Sequence, residues 1–173
     1  MDRRQAIFGV AGGLALMALD SPAAAAGDDL SRRVAELVDR YAASWNAADM
    51  DAMSALYADD VHWVNIVGMH WQGKPQVDRA HRVYFDIMFK GVPLSLQEIE
   101  SIRPMPGGGA VAVVRWSVGA FRTPTGQQVP PSRDRMSLML VPDGNKLLIA
   151  HGANVQIDEM AQRSDPIAAG ARR

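Results

Sequence analysis

The feature that most constrains the fold is a change of hydrophobic period near Gly91. Before this residue, apolar side chains mostly recur at three- and four-residue steps, which is the pattern of one face of an amphipathic helix. After it, four apolar segments are separated by clusters of Pro and Gly, which is the pattern of strands joined by turns. Helices followed by a run of antiparallel strands predict an α+β fold, in which the helices pack on one face of a curved sheet.

About three helices are predicted in the first half of the chain. The first extends from about Leu30 to Ala47, and Asp49 is placed to cap a short second helix. Pro75 suits the first turn of a third helix, whose apolar stripe continues up to Gly91.

Strands are predicted from the alternation of branched and aromatic residues. The first extends from Val61 to Val67, with Trp63 and Asn65 on one face and His62 on the other. The four later strands are Leu94–Arg103, Ala110–Arg122, Arg133–Val141 and Lys146–Ile157.

The N-terminal 26 residues are predicted to be an export signal. Arg3 and Arg4 precede an apolar stretch, and Ala24-Ala25-Ala26 fits a small-residue cleavage site. The arginine pair resembles a twin-arginine signal, so we expect a periplasmic or secreted protein without stable membrane insertion once the signal is removed. Residues 27–160 are expected to form one domain, and residues 161–173, which are poor in apolar side chains, a mobile tail.

Composition and motifs narrow the function classes. Eighteen basic residues stand against nineteen acidic ones with no basic run, so no nucleic-acid partner is expected. The absence of cysteine excludes disulfides, thiolate catalysis and thiolate metal ligands. No GxGxxG or GxSxG motif occurs, and no cofactor is expected. We expect no metal, because His62, His70 and His81 are predicted to lie on different surfaces.

Two segments resemble a known family. They are "YAASWNAADMDAMSALYADDVHWVNIVGMHWQGKPQVDRAHRVYF" and "LLIAHGANV". Both resemble the nuclear transport factor 2-like superfamily and, within it, SnoaL-like proteins of the SgcJ/EcaC family. The resemblance implies a cone-shaped, cystatin-like fold, with a strongly bent antiparallel sheet packed against about three helices. It also implies a pocket for a small molecule and a homodimer formed through the sheet. Isomerases, dehydratases, cyclases and non-catalytic binding modules share this scaffold.

His81 and Asn65 are the first candidates for a site. His81 interrupts an apolar helical stripe, so it is either a core histidine satisfied by one carbonyl or an acid or base facing the pocket. Asn65 interrupts an apolar strand face, where its amide either donates to a ligand carbonyl or developing oxyanion or holds a bulge in the bent strand.

The remaining candidates lie on other elements. His151 and Asn154 have opposite parity on the last strand, so only one of them can face the pocket. Arg135 is either an anchor for an anionic ligand or one half of a cross-strand ion pair. The candidate ligand-contacting residues are Trp63, Trp71, Tyr84, Asn154 and Arg135, and the candidate catalytic residues are His81, Asn65 and His151.

Two functions are compatible with these residues. In the first, a small carbonyl- or hydroxyl-bearing molecule undergoes acid–base isomerisation, dehydration or cyclisation, with a His81–His151 pair resembling the dehydratase branch. The strand acids Glu98 and Glu100 lie on a half-wet strand and Asp134 at a strand start, so a carboxylate base is not expected. In the second, the same scaffold is a non-catalytic ligand-binding or dimeric accessory module.

Overall fold

The computed structural model describes residues 22–167. The predicted export signal and the last residues of the tail therefore lie almost entirely outside the described residues. The helices are α1 (Pro22–Ala47), α2 (Met50–Ser54), α3 (Lys74–Tyr84) and α4 (Glu159–Gln162), with a π-helical segment, Phe85–Phe89, directly after α3. The strands are β1 (Tyr57–Val64), β2 (His70–Gln72), β3 (Leu94–Met105), β4 (Gly109–Val118), β5 (Phe121–Arg122), β6 (Gln128–Val129), β7 (Ser132–Asp143) and β8 (Lys146–Gln156).

The mixed α+β fold is confirmed. Six strands form one curved sheet in the order β2-β1-β8-β7-β4-β3, and β5 pairs with β6 in a separate hairpin. All neighbours in the large sheet are antiparallel except β1 and β8, which run parallel. The helices cover one face of this sheet, and the apolar core lies between them. None of the described helices is both long and apolar enough to span a membrane.

Helix α1 packs its predicted stripe into the core, where Val34, Leu37 and Val38 are fully buried. The helix begins at Pro22, earlier than the expected Leu30 and upstream of the predicted cleavage site. Alanine is the strongest helix former, so the alanine run that suits a cleavage site is equally compatible with a helix. At the other end, the Asn46 side chain donates to the carbonyl of Leu94 (2.8 Å) and accepts from its N–H (2.9 Å), which joins α1 to β3.

Strand β1 differs from its prediction at both ends. It begins at Tyr57, because the backbone already pairs with Ile149 there, and it ends at Val64 rather than Val67. Residues 65–68 form a turn in which Gly68 has a φ of 84° and donates its N–H to the Asn65 carbonyl (2.9 Å). A left-handed residue of this kind ends a strand and favours glycine.

Two further boundaries differ from their predictions. The regular part of the third helix ends at Tyr84, and the π-helical segment follows, with the Lys90 N–H bonded to the Phe85 carbonyl (3.0 Å). The strand predicted to reach Arg122 ends at Val118. The Gly119 N–H bonds instead to the Pro93 carbonyl (2.9 Å), and this redirects the chain into the β5–β6 hairpin.

The described part of the tail contains the short helix α4. Asp158 caps it by accepting from the N–H groups of Met160 (2.8 Å) and Ala161 (3.0 Å). Arg133 forms an ion pair with Glu159 and so links this helix to β7. The predicted mobility of residues 161–173 stays a prediction.

Candidate functional site

A cavity of about 530 Å³ lies between the helices and the concave face of the sheet. This volume is in the range of sites that bind small organic molecules. Its lining is mostly aromatic and aliphatic: Tyr41, Trp45, Trp63, Ile66, Val67, Met69, Trp71, Tyr84, Phe85, Met88, Phe89, Leu94, Trp116, Val118, Phe121, Pro124, Val129 and Met136. The polar lining residues are Asn65, His81, Thr123, Ser132, Asp134, Asn154 and Gln156.

His81 lines this cavity from α3. Its Nδ1 donates to the Val77 carbonyl (2.8 Å), one helical turn earlier. Its ring stands edge-on to Trp63 and Trp71, with centroid separations of 5.0 and 5.8 Å. Burial lowers the pKa of His81, so the neutral imidazole is favoured at neutral pH. Because Nδ1 carries the donated proton, Nε2 is left with its lone pair, and no described residue bonds to it. His81 therefore has its hydrogen bond to a carbonyl and also faces the cavity. The sequence had predicted one or the other of these two uses.

Asn65 also lines the cavity, but from a turn and not from a strand. Its Oδ1 accepts from the backbone N–H groups of Val67 (3.2 Å) and Met69 (2.8 Å). The amide oxygen is thus committed to holding the turn. The structural use of Asn65 is therefore in a turn after β1 and not in the predicted strand bulge. Only the amide nitrogen is left to donate to a ligand oxygen, and a role in binding stays a prediction.

The three aromatic candidates all line the cavity. Trp63 is fully buried and belongs to both core and wall, whereas Trp71 and Tyr84 are half-buried. The Tyr84 hydroxyl donates to the sulfur of Met69 (3.1 Å), which links the third helix to the turn after β1. These side chains provide shape and apolar surface to the cavity.

The structure places Asn154, and not His151, at the cavity. A β-bulge shifts the pairing of β7 with β8, so that Leu140 pairs with Ile149 and Met139 with His151. Ala150 has no partner on β7, so the side chains after Ile149 point to the opposite faces from those that a regular alternation would give them. A continuous alternation would have put His151 on the same face as Ile149. The predicted His81–His151 pair is therefore wrong, because His151 lies on the opposite face of the sheet.

Arg135 likewise lies on the outer face of the sheet, away from the cavity. Its Nε and Nη2 bind the two carboxylate oxygens of Glu100 at 2.6 and 2.9 Å. The guanidinium of Arg135 holds the pKa of Glu100 below its usual value. Arg115 contacts the same carboxylate at 3.2 Å and also pairs with Glu98. Of the two uses weighed for Arg135, the cross-strand ion pair is confirmed.

Asp134 is the site residue that sequence analysis missed. It lines the cavity from β7, directly opposite Trp116 of β4 and Gln156 of β8, and accepts from the Ser132 hydroxyl (3.0 Å). Burial raises the pKa of Asp134, which favours its protonated form more than in an exposed carboxyl group. The signal was present in the sequence, because Asp134 has the parity of the buried residues Met136 and Leu138.

Tyr41 also brings a hydroxyl group to the cavity wall. Its ring lies between those of Trp63 and Trp116, with centroid separations of 6.2 and 5.9 Å. Burial raises the pKa of Tyr41 well above its usual value, so the phenol stays protonated. Trp116 thus lies next to Tyr41 and is the strand partner of Asp134.

Two buried polar atoms in the cavity wall have no hydrogen-bond partner among the described residues. They are Nε1 of Trp116 and Oδ1 of Asn154. An unpaired polar atom in the interior costs about 1 to 3 kcal/mol. The cavity wall near Asp134 therefore contains a donor and an acceptor whose hydrogen bonds the described residues do not supply.

Comparisons with known proteins agree with this architecture. A family model described as a SnoaL-like domain matches residues 38–146. A solved structure from Caulobacter vibrioides, an uncharacterised protein with a cystatin-like fold, is 31% identical with a TM-score of 0.76, covering 80% of this chain and 97% of its own. No curated protein matches the chain.

Two more distant structures share the fold. A ketosteroid isomerase-like protein from Erwinia carotovora atroseptica is 18% identical with a TM-score of 0.63, covering 73% of this chain and 95% of its own. Aln2 from a Streptomyces species is 14% identical with the same TM-score of 0.63, covering 84% of this chain and 99% of its own.

Proposed function

The chain belongs to the SnoaL-like domain family, and from this membership and the lining of the cavity we propose that it binds a small, largely apolar carbonyl-bearing molecule and performs acid–base chemistry on it. The observation that carries the proposal is that one apolar cavity contains an unprotonated imidazole nitrogen, on His81, and a half-buried carboxyl group with a raised pKa, on Asp134. Acid and base groups with shifted pKa values in one cleft are characteristic of enzyme sites.

The proposed roles follow from the protonation states. Nε2 of His81 takes a proton from a carbon next to the substrate carbonyl, because a neutral imidazole is a base near neutral pH. The O–H group of Tyr41 donates to the carbonyl oxygen, where negative charge develops, and Asp134 donates to the same oxygen when its carboxyl group is protonated. Return of the proton to a different carbon completes an isomerisation, whereas loss of a hydroxide from the neighbouring carbon, protonated to leave as water, completes a dehydration. The likeness to a ketosteroid isomerase-like protein is compatible with this reaction class.

The alternative is a non-catalytic ligand-binding or accessory module on the same scaffold. It is favoured by the different aromatic neighbours of the two polar groups, because the His81 ring contacts Trp63 while Asp134 is the strand partner of Trp116. A ligand that reaches only one of these groups would be bound without turnover.

A ligand search followed by matched variants tests the proposal. Native mass spectrometry of the purified protein identifies a retained molecule, and its analogues then serve as substrates. His81→Gln and Asp134→Leu are expected to fold and bind but to lose turnover by about a hundredfold or more, because the first removes the base and the second removes the donor. His151→Gln, on the opposite face, is the control, and in metal-free buffer it is expected to keep full turnover. Binding without turnover in the parent protein would support the accessory module instead.

Three further parts of the proposal concern the protein as a whole. Membership of the SgcJ/EcaC branch is supported by the segments quoted above. A homodimer through the outer face of the sheet is supported by the exposed apolar residues Met139 and Val155 on that face. Export through residues 1–26, by the twin-arginine route, is supported by Arg3-Arg4 and the alanine run. Light scattering of the purified protein and fractionation of expressing cells test the last two.

A further inference from the structure

Three of the four histidines of the chain lie on neighbouring strands at one corner of the outer face. His70 is on β2, His62 on β1 and His151 on β8. His62 and His151 are directly paired across the parallel strands, and so are their neighbours Trp63 and Gly152. Because Trp63 is buried in the core, His62 and His151 point away from it, to the same side of the sheet.

His62 and His70 are in direct contact. Nδ1 of His62 lies 3.1 Å from Nε2 of His70, and the ring centroids are 5.2 Å apart. The prediction that these two histidines lie on different surfaces is wrong. The hairpin formed by β1 and β2 pairs His62 with Gln72 and Val64 with His70, which makes the two histidines diagonal neighbours on one face.

The separation of the two nitrogens suits a shared metal ion. Zinc binds histidine nitrogen at about 2.0–2.1 Å, so two nitrogens on a tetrahedral ion are about 3.3 Å apart. The observed 3.1 Å requires only a small adjustment of the rings. In the described conformation only His62 and His70 are close enough to share an ion. Residues 22–167 contain no group of three histidine or acidic side chains arranged to hold a metal.

His151 is the third ligand within reach. Adjacent strands are about 4.8 Å apart, so the backbone already holds His151 beside His62, and side-chain rotation on the outer face brings its ring toward the pair. We propose that His62, His70 and His151 bind a divalent transition-metal ion such as Zn²⁺, with water as the fourth ligand. Three imidazoles and a water are an established donor set for zinc.

Such a site connects the edge of the sheet to the cavity. An ion held by three strands would attach the short edge strand β2 to β1 and β8. The turn between β1 and β2 carries Asn65 and Met69 at the cavity wall. Metal binding is therefore expected to stabilise this wall without contributing a group to the cavity itself.

Titration of the untagged, metal-free full chain with Zn²⁺ alone tests the site. Calorimetry is expected to show one ion per chain, and the melting temperature is expected to rise with the Zn²⁺ concentration, because the ion binds only the folded arrangement. Co²⁺ substitution is expected to give the visible absorption of tetrahedral coordination. No saturable binding in the millimolar range would overturn the proposal and leave a histidine–histidine hydrogen bond only.

Single variants identify the ligands. Loss of a group that merely orients a metal ligand costs about 10- to 100-fold in affinity, so loss of a ligand is expected to cost at least tenfold. His62→Gln, His70→Gln and His151→Gln are each expected to show this loss, with unchanged circular dichroism. His81→Gln is the matched control, because it removes the one histidine at the cavity, and its Zn²⁺ affinity is expected to equal that of the parent. An unchanged affinity in His151→Gln would overturn the three-strand site.

Discussion

The ring of Trp63 occupies the space in which a side chain on Gly152 would lie. A Cβ atom at position 152 would come within 2.4 Å of Cζ3 of Trp63, and two more ring carbons would lie within 3 Å. The pair joins β1 to β8 next to the parity change that turns Asn154 toward the cavity and His151 away from it. The contact between Trp63 and Gly152 therefore holds β8 against β1 at the point where the strand begins to direct Asn154 toward the cavity.

Gly152→Ala is expected to destabilise the protein. The added methyl group meets a rigid, fully buried indole, and overpacking of this kind costs about 1 to 3 kcal/mol in the free energy of unfolding. Urea denaturation measures the change. Gly27→Ala is the control, because its Cβ would meet nothing within 4 Å and alanine is the better helix residue. Equal stability of the two variants would show that Trp63 moves aside at no cost.

Asn65→Ala and Asn65→Asp separate the two uses of this amide. Asn65→Ala leaves two backbone N–H groups of the turn without their acceptor, and a loss of about 1 kcal/mol or more is expected. Asn65→Asp keeps the acceptor oxygen and replaces the nitrogen that is left for a ligand with a negatively charged oxygen, which cannot donate. It is expected to keep most of the stability and to weaken ligand binding. A stable Asn65→Asp with undiminished binding would confine Asn65 to the turn.

His81 is expected to make the folded protein less stable as the pH falls. Burial lowers its pKa below the usual value of about 6.5, so the folded protein favours the neutral ring. This contribution to the free energy of unfolding is fully present above pH 6.5 and is lost as the pH falls through the lowered pKa. His81→Gln is expected to flatten the curve in that window. His151→Gln serves as the comparison, and an unchanged slope in His81→Gln would place the cause elsewhere.

Asp134 is expected to make the folded protein less stable as the pH rises, which is opposite to the effect of His81. Its raised pKa means that the folded state favours the protonated carboxyl group, so its contribution is present in acid and is lost as the pH rises through that pKa. Asp134→Asn keeps a neutral side chain at every pH. Relative to the parent it is expected to gain stability as the pH rises above about 4, the usual carboxyl value, and through the raised pKa of Asp134. A constant stability difference across this range would argue against a raised pKa.

Tyr57→Phe tests whether the hydroxyl group of Tyr57 contributes to stability. The Tyr57 hydroxyl is buried without a partner among the described residues. Removing an unsatisfied polar group from the interior is neutral or stabilising, so the melting temperature is expected to stay or rise. Tyr41→Phe is the companion variant, since it removes a hydroxyl proposed to contact the ligand and is expected to weaken turnover. A marked loss of stability in Tyr57→Phe would reveal a hydrogen bond to bound water.

Local pattern predicted the elements better than their ends. The stripe of α1, the cap at Asp49 and the four later strand segments are confirmed, because each depends on residues close together in the sequence. Asp134 was accessible to the same reasoning but was set aside as a strand-start residue. Its parity with Met136 and Leu138 was the usable signal.

The sequence by itself determined the fold class, the order of helices and strands, and the presence of His81 on a buried stripe. These follow from periodicity and resemblance. Only the tertiary structure decided which polar residues share a surface. A single additional residue in β8 reverses the side of every side chain beyond it, and this sends Asn154 to the cavity and His151 to the outer face. The same pairing of distant strands brings His151 beside His62, because strand register is determined by contacts between segments that no local pattern records.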